Sequence, residues 1–506
     1  MRLPSCLWFA RTPRAPSGAG NGPPPSRVRK RTAAARLGVE PLEDRSVPAT
    51  FTVWNLADAG AGSLRAAVTD ANTNPGADVV DFAGGLRGTV ALTSGQLRIT
   101  DDVQIAGPGA NRLAVSGSDL SRVLRINAGA AVEIDGLTVT RGNALRWGGG
   151  IWNDGALTLS NAVVSDNVVV GLPGVGPTFS AFDGGIYNPG ALTVLNTTFA
   201  RNRAAGADGN PGGPGSGGLG GAIASISDQG GPAASAVVSH CTFVDNRAVG
   251  GAAGAGGPAS GAGIGGAILN DNSSMTVSHS LFRDNRAVAG SAPGFSGGFG
   301  AGGAITNAAR FGHTTLSVSH STLVNNRAVG GAGGTGGVGR GGGIANLVAF
   351  GAPPGSGFTA TATVAHSTLA GNRAVGGAGP ISGTGQGGGI TNENGGVLTV
   401  TNSAIVLNQA VGGSGDGANG GNGLGGGIYN GPPTTFGVTT LTLQRDLIAL
   451  NRAVGGAGDG GSDGLGQGGG LYLAPGGVAS ADALMAILFN FASTSDDDVF
   501  GDLGDV

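Results

Sequence analysis

The chain has 506 residues, 40% of them hydrophobic and 12% charged, with a net charge of −3 and 105 glycines. That apolar share excludes a disordered chain, which would bury too little to offset its ordering entropy. The glycines keep no every-third-position frame, which excludes collagen, and the slightly acidic balance excludes a basic nucleic-acid binder.

The charge is unevenly placed. Nine basic and three acidic residues give residues 1–50 a net +6, while 19 basic and 28 acidic residues leave −9 for the remainder. Residues 1–50 read as a basic leader concerned with export. No stretch has the length and apolarity of a membrane-spanning helix, and the two cysteines, Cys6 and Cys241, make no disulfide framework. Residues 51–146 read as a cap and the first turns of a repetitive structure. Strands are expected at Phe51–Trp54, Val79–Phe82, Val103–Ala106, Leu113–Ser116, Val123–Ile126 and Val132–Thr140, with one short helix over Ser63–Asn72.

From residue 147 to 490 a unit with two fixed parts recurs. One is Gly-Gly-[Gly/Ala]-Ile-x-Asn, ending at Asn153, Asn188, Asn270, Asn307, Asn346, Asn392 and Asn430. The other is a short alternating strand followed by an apolar residue, two spacers and Asn, as in Leu192-Thr193-Val194 leading to Phe199 and Asn202. Its asparagines are Asn167, Asn202, Asn246, Asn285, Asn326, Asn372, Asn408 and Asn451. Alternation makes each strand half-buried, and strands this short cannot form a domain alone. Stacking at about 4.8 Å per coil pairs each strand with its counterpart, so the expected fold is all-β: a right-handed parallel β-helix, pectin-lyase-like, of roughly twelve coils. Identical Asn residues then fall one strand-spacing apart and form a hydrogen-bonded ladder. Between each Asn and the next Gly-Gly lie roughly 14 to 18 residues rich in Gly and Ala, a length that marks functional or disordered loops. Residues 491–506 read as an acidic tail.

The repeat resembles that of the polymorphic outer membrane proteins, whose hallmark is Gly-Gly-Ala-[Ile/Leu/Val] paired with Phe-x-x-Asn. Gly221-Ala222-Ile223 with Phe243 and Asn246, and Gly266-Ala267-Ile268 with Phe282 and Asn285, are the nearest copies. The resemblance implies a surface-exposed β-helix, although the chain lacks the C-terminal amphipathic strands of an autotransporter barrel. Gly62-Ser63-Leu64-Arg65-Ala66-Ala67 resembles the element preceding many bacterial parallel β-helices. Leu42-Glu43-Asp44-Arg45-Ser46-Val47-Pro48-Ala49 resembles a leader element of exported planctomycete proteins, which implies an extracellular or cell-surface location.

Two further columns share a repeat position. His240, His279, His320 and His366 alternate with Asn161, Asn196 and Asn402. Stacked imidazoles point their nitrogens sideways, so a turn ladder is expected there rather than a metal centre. Arg203, Arg247, Arg286, Arg327, Arg373 and Arg452 each follow a ladder Asn. They read as a solvated edge aided by Asp245 and Asp284, or as an anion-binding stripe for acidic polysaccharide. No cofactor motif and no catalytic residue stand out. Glycoside hydrolysis needs two carboxylates about 5 to 9.5 Å apart, and the acids Asp166, Asp245 and Asp284 are scattered over separate coils. The expectation is a non-catalytic cell-surface or secreted structural or adhesion protein that binds polysaccharide. The alternatives are a polysaccharide lyase or glycoside hydrolase, and a passive extracellular matrix component. Oligomeric state is open.

Overall fold

In a computed structural model, the structure describes residues 48–172, 180–227, 233–348, 352–353 and 355–505. The leader expected over 1–50 lies outside these residues except for its last three. The chain winds as a right-handed parallel β-helix. One coil shows the path: Ser235–Ser239 in the first sheet, Thr242–Val244 in the second, Arg247–Val249 in the third, Gly263–Ile264 in the fourth and Ile268–Asp271 in the fifth. The next coil re-enters the first sheet at Ser274–Ser278. The five sheets hold 14, 12, 10, 8 and 12 strands, and all their ladders among the described residues are parallel. The first sheet therefore reaches two coils beyond the expected twelve, and the rod is about 60 Å long at ~4.8 Å per coil.

The alternation seen in the sequence sets the core. Leu157, Leu192, Ala236, Met275, Leu316, Ala362, Leu398 and Leu441 share one register of the first sheet and are buried. Phe199, Phe243 and Phe282 stack in the second sheet at centroid spacings of 4.8 and 4.5 Å. The helix forms over Leu64–Ala71, with Ser63 as N-cap accepting from the Ala66 N–H, and its apolar face, Leu64, Ala67, Val68 and Ala71, closes the first layer of the core. The expected strand Val132–Thr140 is broken into Ala131–Asp135 and Thr138–Thr140 by a left-handed turn at Gly136 (φ +63).

The ladder asparagines form one column with no solvent exposure. Asn285 is typical. Its Nδ2 donates to Asn326 Oδ1 (2.9 Å) and to Phe243 O in the preceding coil (3.0 Å), while its Oδ1 accepts from Asn246 Nδ2 and N (3.0 Å each). Asn153 donates to Asn188, and Asn270, Asn307, Asn346, Asn392 and Asn430 make a second ladder on the fifth sheet, at 2.7 to 2.8 Å per step. Ser225 stands between the two runs and accepts from Asn188.

One expectation is corrected. Residues 491–505 are not a tail but a last coil, with strands Phe491–Ala492, Val499–Phe500 and Gly504–Asp505. Asp498 Oδ1 accepts from Asn490 Nδ2 (2.8 Å) and N (3.2 Å), so a carboxylate ends the ladder with the acceptor an Asn would have offered. Asp497 likewise accepts from the Ala492 N–H.

The glycine-rich spacers from residue 203 onward, which lie among the described residues, are ordered. Gly218, Gly263, Gly300, Gly339, Gly385, Gly423 and Gly466 form one column of the fourth sheet, packed against the third-sheet backbone, where a Cβ on Gly263, Gly300, Gly339 or Gly385 would meet Val288, Val329, Val375 or Val411. Further out, backbone hydrogen bonds zigzag along the rod: Gly290 to Gly261, Gly298 to Gly290, Gly331 to Gly298, Gly337 to Gly331 and Gly377 to Gly337, at 2.8 to 3.3 Å. The same pattern runs from Ser216 to Gly464.

Candidate functional site

Two surfaces carry chemistry. The first is the arginine column. Parallel register sets Arg203, Arg247, Arg286, Arg327 and Arg373 side by side at the start of consecutive third-sheet strands, with Gln409 separating Arg373 from Arg452. The central alanine of each strand faces inward, so its arginine faces out. Among the described residues none of the six makes an ion pair. Asp284 does not neutralise the edge: its left-handed turn (φ +59) brings it to Arg283, at 3.4 Å, and Asp245 pairs with none of the six. Asp166 is held bidentately by Arg201 at 2.7 Å, which lowers its pKa. Burial, then the charges of Arg373 and Arg286, lower the pKa of Arg327. The column is thus a row of crowded like charges, with Arg452 resting over the Phe491 ring.

The histidine column stands at the turn between the first and second sheets. His240, His279, His320 and His366 stack at 4.8 to 4.9 Å with interplanar angles of 1 to 19°. Each is left-handed (φ +48 to +56), as are Asn161, Asn196 and Asn402 in the same column, which is why His and Asn exchange there. Among the described residues no three His, Cys, Asp or Glu side chains gather as metal ligands. Near the end of this turn Asp446 titrates near 6, raised by burial and opposed by the Ser403 and Gln444 N–H groups that it accepts from. It acts as a turn staple.

The second surface was not read from the sequence. The outward side chains of the fifth sheet meet those of the fourth and build a second, smaller core from Tyr187, Leu219, Ala224, Ile226, Leu269 and Ala308, with Trp147, Trp152 and Phe182 against it. Arg125 and Arg122 lie over the Trp152 ring, and Trp152 donates to Asp154 at 2.6 Å. Along this seam the small side chains of Ala301 and Ala308 leave a cavity of about 520 Å³, beside a second of about 320 Å³. Arg340 and Glu393, an ion pair at 2.6 Å, are nearly buried further along the same two sheets. The signal available in the sequence was the x of Ile-x-Asn, which is aromatic at Trp152, Tyr187 and Tyr429.

Asp183 was missed as well. Where the fourth sheet turns into the fifth, the other coils place glycine in a left-handed conformation, for example Gly148, Gly220, Gly265 and Gly302 at φ +50 to +66. Asp183 takes that place with φ +68, and both carboxylate oxygens are buried without a hydrogen-bond partner among the described residues. Burial alone raises its pKa well above the usual value. Native Asp183 is therefore protonated over a pH range in which the unfolded side chain, near 3.9, is ionised. Its cost to stability grows as pH rises from about 4 toward its raised native value. Asp183→Gly should stabilise the fold by about 1 kcal/mol at pH 4, from relief of left-handed strain, and by more at pH 7. Urea unfolding at both pH values checks this; an equal gain at the two would contradict the burial argument.

No family model matches the chain, and no curated protein does. Among solved structures, the chain is similar to the catalytic domain of a GH87 α-1,3-glucanase in complex with nigerose, at 13% identity and a TM-score of 0.31. That match covers 84% of this chain and 66% of the other. It is also similar to a mannuronic acid-specific polysaccharide family 6 lyase from human gut microbiota, at 10% identity and a TM-score of 0.25, covering 78% of this chain and 87% of that one. At these distances no residue role is carried over. Among the described residues no helix is long and apolar enough to cross a membrane.

Proposed function

We propose that the chain is a non-catalytic, exported surface or matrix protein whose rigid rod displays the arginine column to acidic polysaccharide. One observation carries this reading: guanidinium groups in register along one edge, with no ion pair among the described residues. A row of like charges at strand spacing is costly unless a polyanion or salt neutralises it, and planar guanidiniums match carboxylate and sulfate geometry. Ladders of buried Asn and backbone glycine bonds keep the row straight, so a chain-like ligand engages several sites without ordering the protein. The surface location rests on the leader resemblance at residues 42–49 and on the motif resemblance of the repeat.

The test uses the full chain and polygalacturonate, with dextran as neutral control. Arg286→Gln with Arg327→Gln should weaken polygalacturonate binding at least tenfold and flatten its salt dependence by roughly one to two units of log–log slope. Unchanged affinity would remove the stripe from the account. Shortening of the polymer, or unsaturated uronide product, would overturn the non-catalytic reading.

A further inference from the structure

The two cavities on the seam between the fourth and fifth sheets differ in chemistry and share a wall made of Phe182, Arg310 and Phe311. The larger, about 520 Å³, is walled mainly by apolar groups, among them Leu219, Ile264, Leu269, Ala301, Ala308 and Phe299. The hydroxyl groups on its lining with assigned bonds are already spent: Ser260 donates to Gly290 O and Thr306 to Ala301 O. This size and lining suit an alkyl or aryl group.

The smaller cavity, about 320 Å³, combines the rings of Trp147, Tyr187 and Phe311 with the polar pair Asp271 and Asn272. Asp271 is fully buried. One of its oxygens is paired with Arg310, while the other, Oδ1, has no hydrogen-bond partner among the described residues. Asn272 Oδ1 accepts from the N–H groups of Arg310 and Phe311, at 2.7 and 2.8 Å, which fixes the turn that divides the cavities. That leaves Asn272 Nδ2 buried without an acceptor among the described residues. An orphaned acceptor and an orphaned donor on adjacent residues, each costing about 1–3 kcal/mol, ask for a group that can donate to one and accept from the other. Neighbouring hydroxyls on a sugar ring do both, and the ring's apolar face packs on aromatic side chains. Arg310 is the more exposed member of its ion pair, at 28% against 0% for Asp271.

We propose that the paired cavities form a binding site for an amphipathic glycoside, its apolar tail in the larger cavity and its sugar head against Asp271, Asn272 and the aromatic rings. The site lies on different sheets from the arginine column and stands whether or not that column binds polyanions.

The experiment titrates the full-length protein with octyl glucoside below its micelle concentration, followed by calorimetry, against glucose and octyl sulfate. Octyl glucoside should bind saturably, and glucose and octyl sulfate at least tenfold more weakly. Ala308→Phe should fill the larger cavity and abolish binding while circular dichroism remains that of the parent. Phe311→Ala, at a position 43% exposed, provides a second variant and should weaken binding at least fivefold. Absence of saturable octyl glucoside binding would overturn the proposal, as would unchanged binding by either folded variant. Equal affinity for octyl sulfate would overturn the assignment of the head group to a sugar.

Discussion

Gly331→Ala is expected to unfold the middle of the rod, at a cost on the order of 4 kcal/mol or more. A Cβ on Gly331 would lie 1.7 Å from Gly290 O and 2.7 Å from its carbonyl carbon, and both atoms are backbone. Nothing nearby can rotate away. The neighbouring chain would have to retreat, breaking the bonds from Gly331 N to Gly298 O and from Gly337 N to Gly331 O. Gly337 and Gly377 are equally confined, with a Cβ at 1.7 and 2.0 Å from the carbonyl oxygens of Gly298 and Gly331. The contrast is Gly355, where a Cβ meets nothing within 4 Å, although its φ of +72 adds local strain. Hydrogen exchange read by mass spectrometry localises the effect. Protection should collapse in the spacers of the coils around residue 331 and persist at the helix end of the rod. Native-like protection throughout the Gly331→Ala protein would show that the spacers are not packed as described.

Asn285→Ala is the second large effect, expected at about 3–5 kcal/mol. The substitution leaves the Nδ2 and backbone N–H of Asn246, Phe243 O and Asn326 Oδ1 short of bonds inside the rod. Each orphaned buried group costs about 1–3 kcal/mol, partly relieved by relaxation. Asn285→Asp should not rescue the loss at pH 7: a carboxylate can accept a ladder bond, as Asp498 does at the partly exposed end, but at Asn285 it loses both donations from Nδ2 and buries a charge. Stability in a stacked repeat is close to a sum over neighbouring coils, so chemical unfolding should become less cooperative near Asn285. A loss below 1 kcal/mol for Asn285→Ala would mean that the ladder is replaceable by water.

Much of this architecture was legible in the residues. A parallel coil stack converts equal positions in a repeat into direct neighbours, so any residue type recurring at one place becomes a column. That is why the asparagines, the histidines and the arginines read as columns from the sequence alone. The arginine register was likewise implied by the repeat, and only the lack of ion pairs among the described residues was left to the structure.

The same logic explains what was not legible. Residues 491–505 looked like a tail because Asp496, Asp497 and Asp498 read as charge, whereas in three dimensions Asp497 and Asp498 are hydrogen-bond acceptors for a last coil. The spacers looked like loops of undecided order because backbone-to-backbone bonding between glycines leaves no side-chain pattern to read. Asp183 replaces the first glycine of a Gly-Gly-Gly turn, and its cost becomes visible only once both oxygens are seen to be buried.

The sequence by itself determined the fold class, the repeat and the three columns, because period and register are local properties that stacking multiplies. Only the tertiary structure decided the seam cavities, the lack of a partner among the described residues for Asp271 Oδ1 and Asn272 Nδ2, and the order of the glycine layer. Those depend on where outward side chains of one sheet meet another, and on close approaches between backbones that carry no Cβ.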